Sequence, residues 1–130
     1  MRIKGLDHVG LLVADMERTL RFYRDGLGLT VLRTKGPDDD GVRSAVIQVG
    51  DQEMNVFSAP NLGKAHEQGG AGVDHFCFAV EAASIEDVIA QLRAAGLEIA
   101  KGPTERRSAT SIFLSDPDGV RVELQLPRQP

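Results

Sequence analysis

Val9, Leu11 and Val13 alternate with His8, Gly10 and Leu12, a period of two that predicts a strand with one apolar face. Asp15 then suits a helix N-cap. Met16, Leu20, Tyr23 and Leu27 follow at near-helical spacing, and Gly28 closes the segment. Leu29 to Thr34 reads as a strand and Pro37 to Gly41 as a loop. Val42 to Val49 is a second strand, Gly50-Asp51 a tight turn, and Glu53 to Ser58 a third.

The same order returns. Phe76, Phe78 and Val80 alternate with His75, Cys77 and Ala79. Ser84 caps a helix whose apolar stripe is Ile85, Val88, Ile89 and Leu92, and Gly96 ends it. Leu97 to Ala100 is expected as a strand and Lys101 to Ser108 as a polar loop. Thr110 to Ser115 is a strand, Asp116-Pro117-Asp118-Gly119 a turn, and Val120 to Leu126 the last strand. Both halves therefore read βαβββ. The expected class is α+β, with two tandem modules, about 3–58 and 72–126, joined by a linker at 59–71 within one domain, 1–130. The repetition is also literal. Residues 5–13 read GLDHVGLLV and 72–80 read GVDHFCFAV, an offset of 67.

The helices need the apolar strand faces. The opposite faces carry His8, Glu53, Asn55, Phe57, His75, Cys77, Arg121, Glu123 and Gln125, and these are expected to line a concave surface. Aligning the last strands at an offset of 68 puts Glu123 on Asn55. The repeat thus offers four slots: His8, Asn55, His75 and Glu123. Two imidazoles and a carboxylate make a set that suits a divalent first-row metal with open positions. Asn55 is open between a weak oxygen ligand, a group supporting a ligand, and neither. A histidine on a strand more often serves structure, and a carboxylate on a sheet is usually solvated. What singles this set out is the repetition of the histidine and the break that Glu123 makes in its apolar strand.

Composition narrows the alternatives. A net charge of −4 and a pI near 5.3 leave no electrostatic footprint for nucleic acid. The acidic run Asp38-Asp39-Asp40 reads as a solvated loop. No stretch approaches the ~20 apolar residues of a membrane span. Met1 to Asp7 lacks the apolar core of a signal peptide. The single cysteine, Cys77, excludes an internal disulfide and fits a reducing compartment, so a cytoplasmic location is expected.

Several of these residues carry a family resemblance. Leu6-Asp7-His8-Val9, then Phe22-Tyr23-Arg24-Asp25 and Leu27-Gly28-Leu29, then Asp74-His75-Phe76, then Asp116-Pro117-Asp118-Gly119 with Glu123-Leu124, resemble the vicinal oxygen chelate superfamily. That superfamily includes glyoxalase I, methylmalonyl-CoA epimerase, fosfomycin-resistance thiol transferases, extradiol dioxygenases and bleomycin-resistance proteins. The resemblance covers almost the whole chain. It implies the fold and places His8, His75 and Glu123 on the metal-ligand positions. It is far less specific for a reaction, because one fold here hosts many chemistries.

The fourth slot holds Glu or Gln in glyoxalase I and the epimerases. Asn55 is one methylene shorter than Gln, and its amide cannot serve as a base. Dioxygenases and fosfomycin transferases share the two-His, one-Glu set, but tend to carry a tyrosine where this chain has Phe113. The fosfomycin enzymes also favour threonine at the position of Gly10. Small glyoxalase-like and virulence-associated members resemble the chain most, sharing the Asn and a stretch like Gly102-Pro103…Arg107-Ser108-Ala109-Thr110.

The resemblance implies a divalent metal, Fe(II) or Zn(II) ahead of Mn(II) or Ni(II), and a small chelating substrate with two adjacent oxygens. Phe113, Arg107, Arg121 and Cys77 are candidate substrate contacts. For Arg43, Arg107 and Arg121 singly, plain surface solvation is the simpler role, and for Cys77 the simpler role is that of a small packing residue. No general acid or base is assigned; Glu53 reads more simply as an exposed edge carboxylate. Isomerase or lyase chemistry ranks ahead of extradiol cleavage and of glutathione or other thiol transfer. A metal-independent sequestering protein of the bleomycin-resistance type is the rival class. Family members complete their cups by pairing modules, often from two chains, so a homodimer is expected.

Overall fold

The polar/apolar alternation is resolved into two four-stranded sheets in a computed structural model that describes residues 2, 6–60 and 75–128. In chain order the elements are β1 (His8–Val13), α1 (Met16–Leu20), β2 (Thr30–Lys35), β3 (Arg43–Val49), β4 (Gln52–Ser58), β5 (His75–Ala79), α2 (Ile85–Ala94), β6 (Lys101–Glu105), β7 (Ala109–Ser115) and β8 (Arg121–Pro127). The first sheet runs β1-β4-β3-β2 and the second β5-β8-β7-β6. In each, the first strand pairs in parallel with the last, and the remaining pairs are antiparallel. This is the expected α+β architecture of two βαβββ modules. The residues group into two compact units. One carries β1, α1 and β2–β4; the other carries β5, α2 and β6–β8 and takes in Asp25–Leu27. Most of the expected linker, and the repeat's Gly5 and Gly72–Asp74, lie outside the described residues.

Both helices start as their caps dictate. The Asp15 carboxylate accepts from the Arg18 N–H at 3.0 Å, and the Ser84 hydroxyl accepts from the Asp87 N–H at 3.2 Å. The first helix does not run evenly to Leu27. After Leu20 the chain widens into a π-type winding over Arg21–Gly26. In the first unit Val13, Met16, Leu20, Tyr23, Ile47, Met54 and Val56 are buried, with α1 packed against β4. Tyr23, the only tyrosine, is fully buried with its ring edge-on to Phe22, so it belongs to the core. In the second unit Val88, Leu92, Ile112, Leu114, Val122, Leu124 and Leu126 are buried.

One expectation is corrected. Leu97–Ala100 is not a strand, and Lys101–Glu105 is not a loop but β6. The Leu97 N–H is taken by the Leu92 carbonyl at 2.9 Å, closing the helix end, so the strand begins later. Gly102-Pro103 suggested a loop. At the edge of a sheet, however, the missing proline donor is tolerated, and the pairing with β7 shifts between Lys101 and Thr104 to accommodate it. The first unit also has a Gly-Pro pair, Gly36-Pro37, but just past the end of β2; both bonds are cis. Gly36 and Gly102 sit at φ 91° and 98°. A Cβ at Gly102 would lie 2.7 Å from the Ser111 carbonyl oxygen, and one at Gly36 would overlap the Val42 carbonyl oxygen. Only glycine fits either place.

Turns complete the frame. Asp38 Oδ1 accepts from the Asp40 and Val42 N–H groups, and Asp116 Oδ1 from those of Asp118 and Val120, each at 2.9 Å. Part of the acidic run is therefore a turn organiser. Among the described residues no helix is long and apolar enough to cross a membrane.

Candidate functional site

In the second sheet, β5 and β8 lie side by side with His75 opposite Arg121 and Cys77 opposite Glu123. Register partners share a face, so all four side chains lie on the face away from Val122 and Leu124. His75 Nε2 stands 3.2 Å from Glu123 Oε2. The Glu123 side chain is only 12% exposed, against 38% for His75. A carboxylate this buried is costly unless partnered, and the imidazole is a partner. Phe113 lies across from Glu123 on β7 and sets its ring edge-on to His75, with centroids 5.8 Å apart. Arg121 Cζ lies 5.0 Å from the centre of the Phe113 ring and Lys101 Nζ 5.9 Å.

Cys77 joins this cluster without being reactive. Burial, then the charge of Glu123 and a hydrogen bond to it, push the thiol up to about 11. The protonated form therefore dominates at neutral pH, which suits a donor and packing group rather than a nucleophile.

The first sheet carries the other candidates. His8 opens β1 opposite Glu53, and Gly10 lies opposite Asn55. His8 Nδ1 stands 2.9 Å from Asp7 Oδ2, and a carboxylate accepts only, so Nδ1–H donates. In the neutral ring this leaves the Nε2 lone pair for another partner, the arrangement of a metal-ligating histidine. The Asn55 Oδ1 atom is buried and, among the described residues, accepts no hydrogen bond. Glu53, a weaker base candidate, lies 3.9 Å from Arg33 on the exposed sheet face.

Among the described residues, no three or more His, Cys, Asp or Glu side chains gather as a ready metal site. What stands together is a pair, one imidazole nitrogen and one carboxylate oxygen. That donor chemistry fits a divalent first-row ion but falls one ligand short of a three-ligand frame. Phe113, Arg121 and Cys77 are brought to the His75–Glu123 pair. Arg107 is exposed in the turn between β6 and β7 and makes no hydrogen bond or ion pair among the described residues. Three further residues went unrecognised in the sequence. Lys101 was hidden in the expected loop. Ser111 is fully buried, with its hydroxyl unpartnered among the described residues. Asp7 had a signal, since the Asp-His pair recurs as Asp74-His75.

Comparison with known proteins gives a consistent picture. A family model described as the Glyoxalase/Bleomycin resistance protein/Dioxygenase superfamily matches residues 5–124. The virulence protein STM3117 of Salmonella typhimurium is 33% identical over 132 residues, spanning 95% of this chain and 85% of that protein. A probable chloroplastic lactoylglutathione lyase of Arabidopsis thaliana is 30% identical over 121 residues, 90% of this chain; the chain spans only 34% of its length. The crystal structure of a glyoxalase family protein from Enterococcus faecalis superposes with a TM-score of 0.78 at 28% identity, covering 96% of this chain and 99% of that one.

Proposed function

Since the chain belongs to the glyoxalase/bleomycin resistance protein/dioxygenase superfamily, we propose that it is a divalent-metal-dependent enzyme with His8, His75 and Glu123 as ligands. Its substrate is a small oxygenated molecule able to chelate, and its chemistry is of the isomerase or lyase type. The observation that carries this reading is the half-exposed imidazole of His75 beside the nearly buried carboxylate of Glu123. A protein that only sequesters a ligand has no use for that pair. Fe(II) and Zn(II) suit the N/N/O set best, ahead of Mn(II) and Ni(II).

When bound, the ion supplies Lewis-acid polarisation of two adjacent substrate oxygens. The rest falls to the chain. Glu123, to serve as a ligand, stays ionised and so does not act as a free base. The Phe113 ring fixes one side of His75 and excludes water from it. Asp7 holds His8 in one tautomer. Cys77 keeps its proton and donates toward Glu123. Asn55 offers an amide oxygen and no base. Phe113 has no hydroxyl to handle a proton, which tells against ring cleavage and thiol transfer. Two further parts of the proposal are a single domain over 1–130 and a homodimer in the cytoplasm. The exposure of Leu6, Leu32 and Phe57, 74%, 43% and 37%, supports the dimer.

The test is elemental analysis of untagged protein purified without chelators, beside the His75→Ala variant. The expectation is about one divalent ion per chain for the wild type and none held stoichiometrically by the variant. A variant that keeps its ion overturns the ligand assignment.

A further inference from the structure

The outer hairpin turns of the two units hold the same place in the repeat and carry opposite charge. Lys35 with Ser44 is the last pair of β2 and β3, and Glu105 with Thr110 the last pair of β6 and β7. The turns beyond these pairs are 36–42 and 106–108. The first holds Asp38, Asp39 and Asp40, the second Arg106 and Arg107, and all five are exposed. The Asp38 carboxylate accepts from the Asp40 and Val42 N–H groups. The side chains of Asp39, Asp40, Arg106 and Arg107 make no hydrogen bond or ion pair among the described residues.

Neighbouring groups do not cancel either charge. Beside the basic turn, Glu105 is already engaged: its Oε2 accepts from Arg128 Nη2 at 2.7 Å and its Oε1 from the Thr110 hydroxyl at 3.1 Å. Beside the acidic turn, Arg43 lies 3.8 Å from Glu17, which leaves Lys35 against three carboxylates. On a chain of net charge −4, a doubly basic turn stands out. Both turns are also pinned. The Asp38 N–H donates to the Val42 carbonyl and the Gly41 N–H to the Asp38 carbonyl, each at 3.0 Å. The Arg106 N–H donates to the Ala109 carbonyl at 2.7 Å and the Arg128 N–H to the Ser108 carbonyl at 2.9 Å. A turn already held presents its charges with little further ordering on docking. Adjacent like charges repel, and a surface of opposite sign relieves each turn.

We propose that the acidic turn, through Asp39 and Asp40, docks on the basic turn, Arg106 and Arg107, of a second copy of this chain. Each chain carries one turn of each sign. Two copies related by a two-fold axis therefore make the contact twice, each acidic turn against the other copy's basic turn. Exposed ion pairs are individually weak. Grouped and duplicated, they choose the partner and set its orientation. The inference rests on the homodimer of the proposed function and names what orients it; the metal ligands play no part in it.

Exchange of charge between copies tests it. Sedimentation equilibrium at low ionic strength measures self-association of the wild type and of two variants. One carries Asp39→Lys with Asp40→Lys, the other Arg106→Glu with Arg107→Glu; Asp38 is kept because it makes its turn. Each variant alone sets like charges against each other at both contacts, so its dissociation constant should rise roughly tenfold or more. An equimolar mixture restores opposite charges at both contacts of a mixed dimer. With one variant ¹⁵N-labelled, native mass spectrometry should show mixed dimers dominating, and association should return to within about threefold of the wild type. Variants that dimerise within about twofold of the wild type overturn the docking and leave the homodimer standing. Weakened variants whose mixture is no stronger than either alone also overturn it, because charges that meet within one chain cannot be exchanged between chains. A wild type that stays a single chain at micromolar concentration overturns the homodimer and the docking together.

Discussion

The two sheets are one design used twice, and they diverge where chemistry would sit. Both have the same strand order, a parallel first-to-last pairing, a capped helix and a left-handed glycine before a proline. On the outward face, His8, Gly10, Val46, Glu53 and Asn55 of the first unit stand where His75, Cys77, Phe113, Arg121 and Glu123 stand in the second. The first unit keeps an exposed histidine tied to Asp7 and an amide whose buried oxygen has no hydrogen-bond partner among the described residues. The second couples its histidine to a nearly buried carboxylate and surrounds the pair with an aromatic ring and two cations. The backbone is the shared half of the repeat, and the face that carries the histidines is where the two units differ, with Phe113 and Glu123 buried on it in the second.

Substitution of the shared glycines gives the largest expected effect. Gly36→Ala and Gly102→Ala should each cost roughly 2–3 kcal/mol in chemical denaturation, through positive φ and carbonyl overlap. A cost below about 1 kcal/mol at either position would mean that the carbonyl it meets gives way. Next is the slot that differs most. Asn55→Glu adds a charged oxygen donor, and calorimetry should show metal binding tightened about tenfold, or about 1.4 kcal/mol. Unchanged affinity would place Asn55 away from the metal. It would also remove the equivalence of Asn55 with Glu123 on which the comparison is built.

The caps give the smallest effects and contrast a fixed group with a titrating one. Ser84→Ala should cost about 1 kcal/mol at any pH. The backbone N–H of Arg18 holds the Asp15 carboxyl below its ordinary 3.8. Its contribution is therefore complete above that value and is lost as the pH falls through the lower, folded value. Acid unfolding followed by circular dichroism should have a shallower limb below about pH 4 in Asp15→Asn than in the wild type. Identical limbs would show that the Asp15 cap does not titrate with folding.

Much of this was legible because strand alternation records which face meets a core. Val122, Leu124 and Leu126 are buried as their spacing requires, and Met54 and Val56 match them in the first unit. Asp15 and Ser84 were legible as caps because few residues can accept from an unpaired helix N–H. What failed was local. Gly102-Pro103 reads as a break, whereas an edge strand absorbs it, and misplacing β6 concealed that Lys101 faces Phe113. That His75 and Glu123 share a site was legible, but the 3.2 Å separation and the pairing of Cys77 opposite Glu123 were not, since spacing shows a shared face and not the register between β5 and β8. The burial of Ser111 depends on everything packed around β7 and has no signature in a row of residues.

The central claim is that the second unit's carboxylate, and not merely the repeated histidines, makes the metal centre. Titrating Zn(II) into chelator-stripped wild type and Glu123→Asn, which gives the second unit the first unit's residue, tests it most directly. The account predicts about one ion per chain for the wild type and at least a hundredfold weaker binding for the variant, with unchanged circular dichroism. Binding within about threefold of the wild type would contradict it.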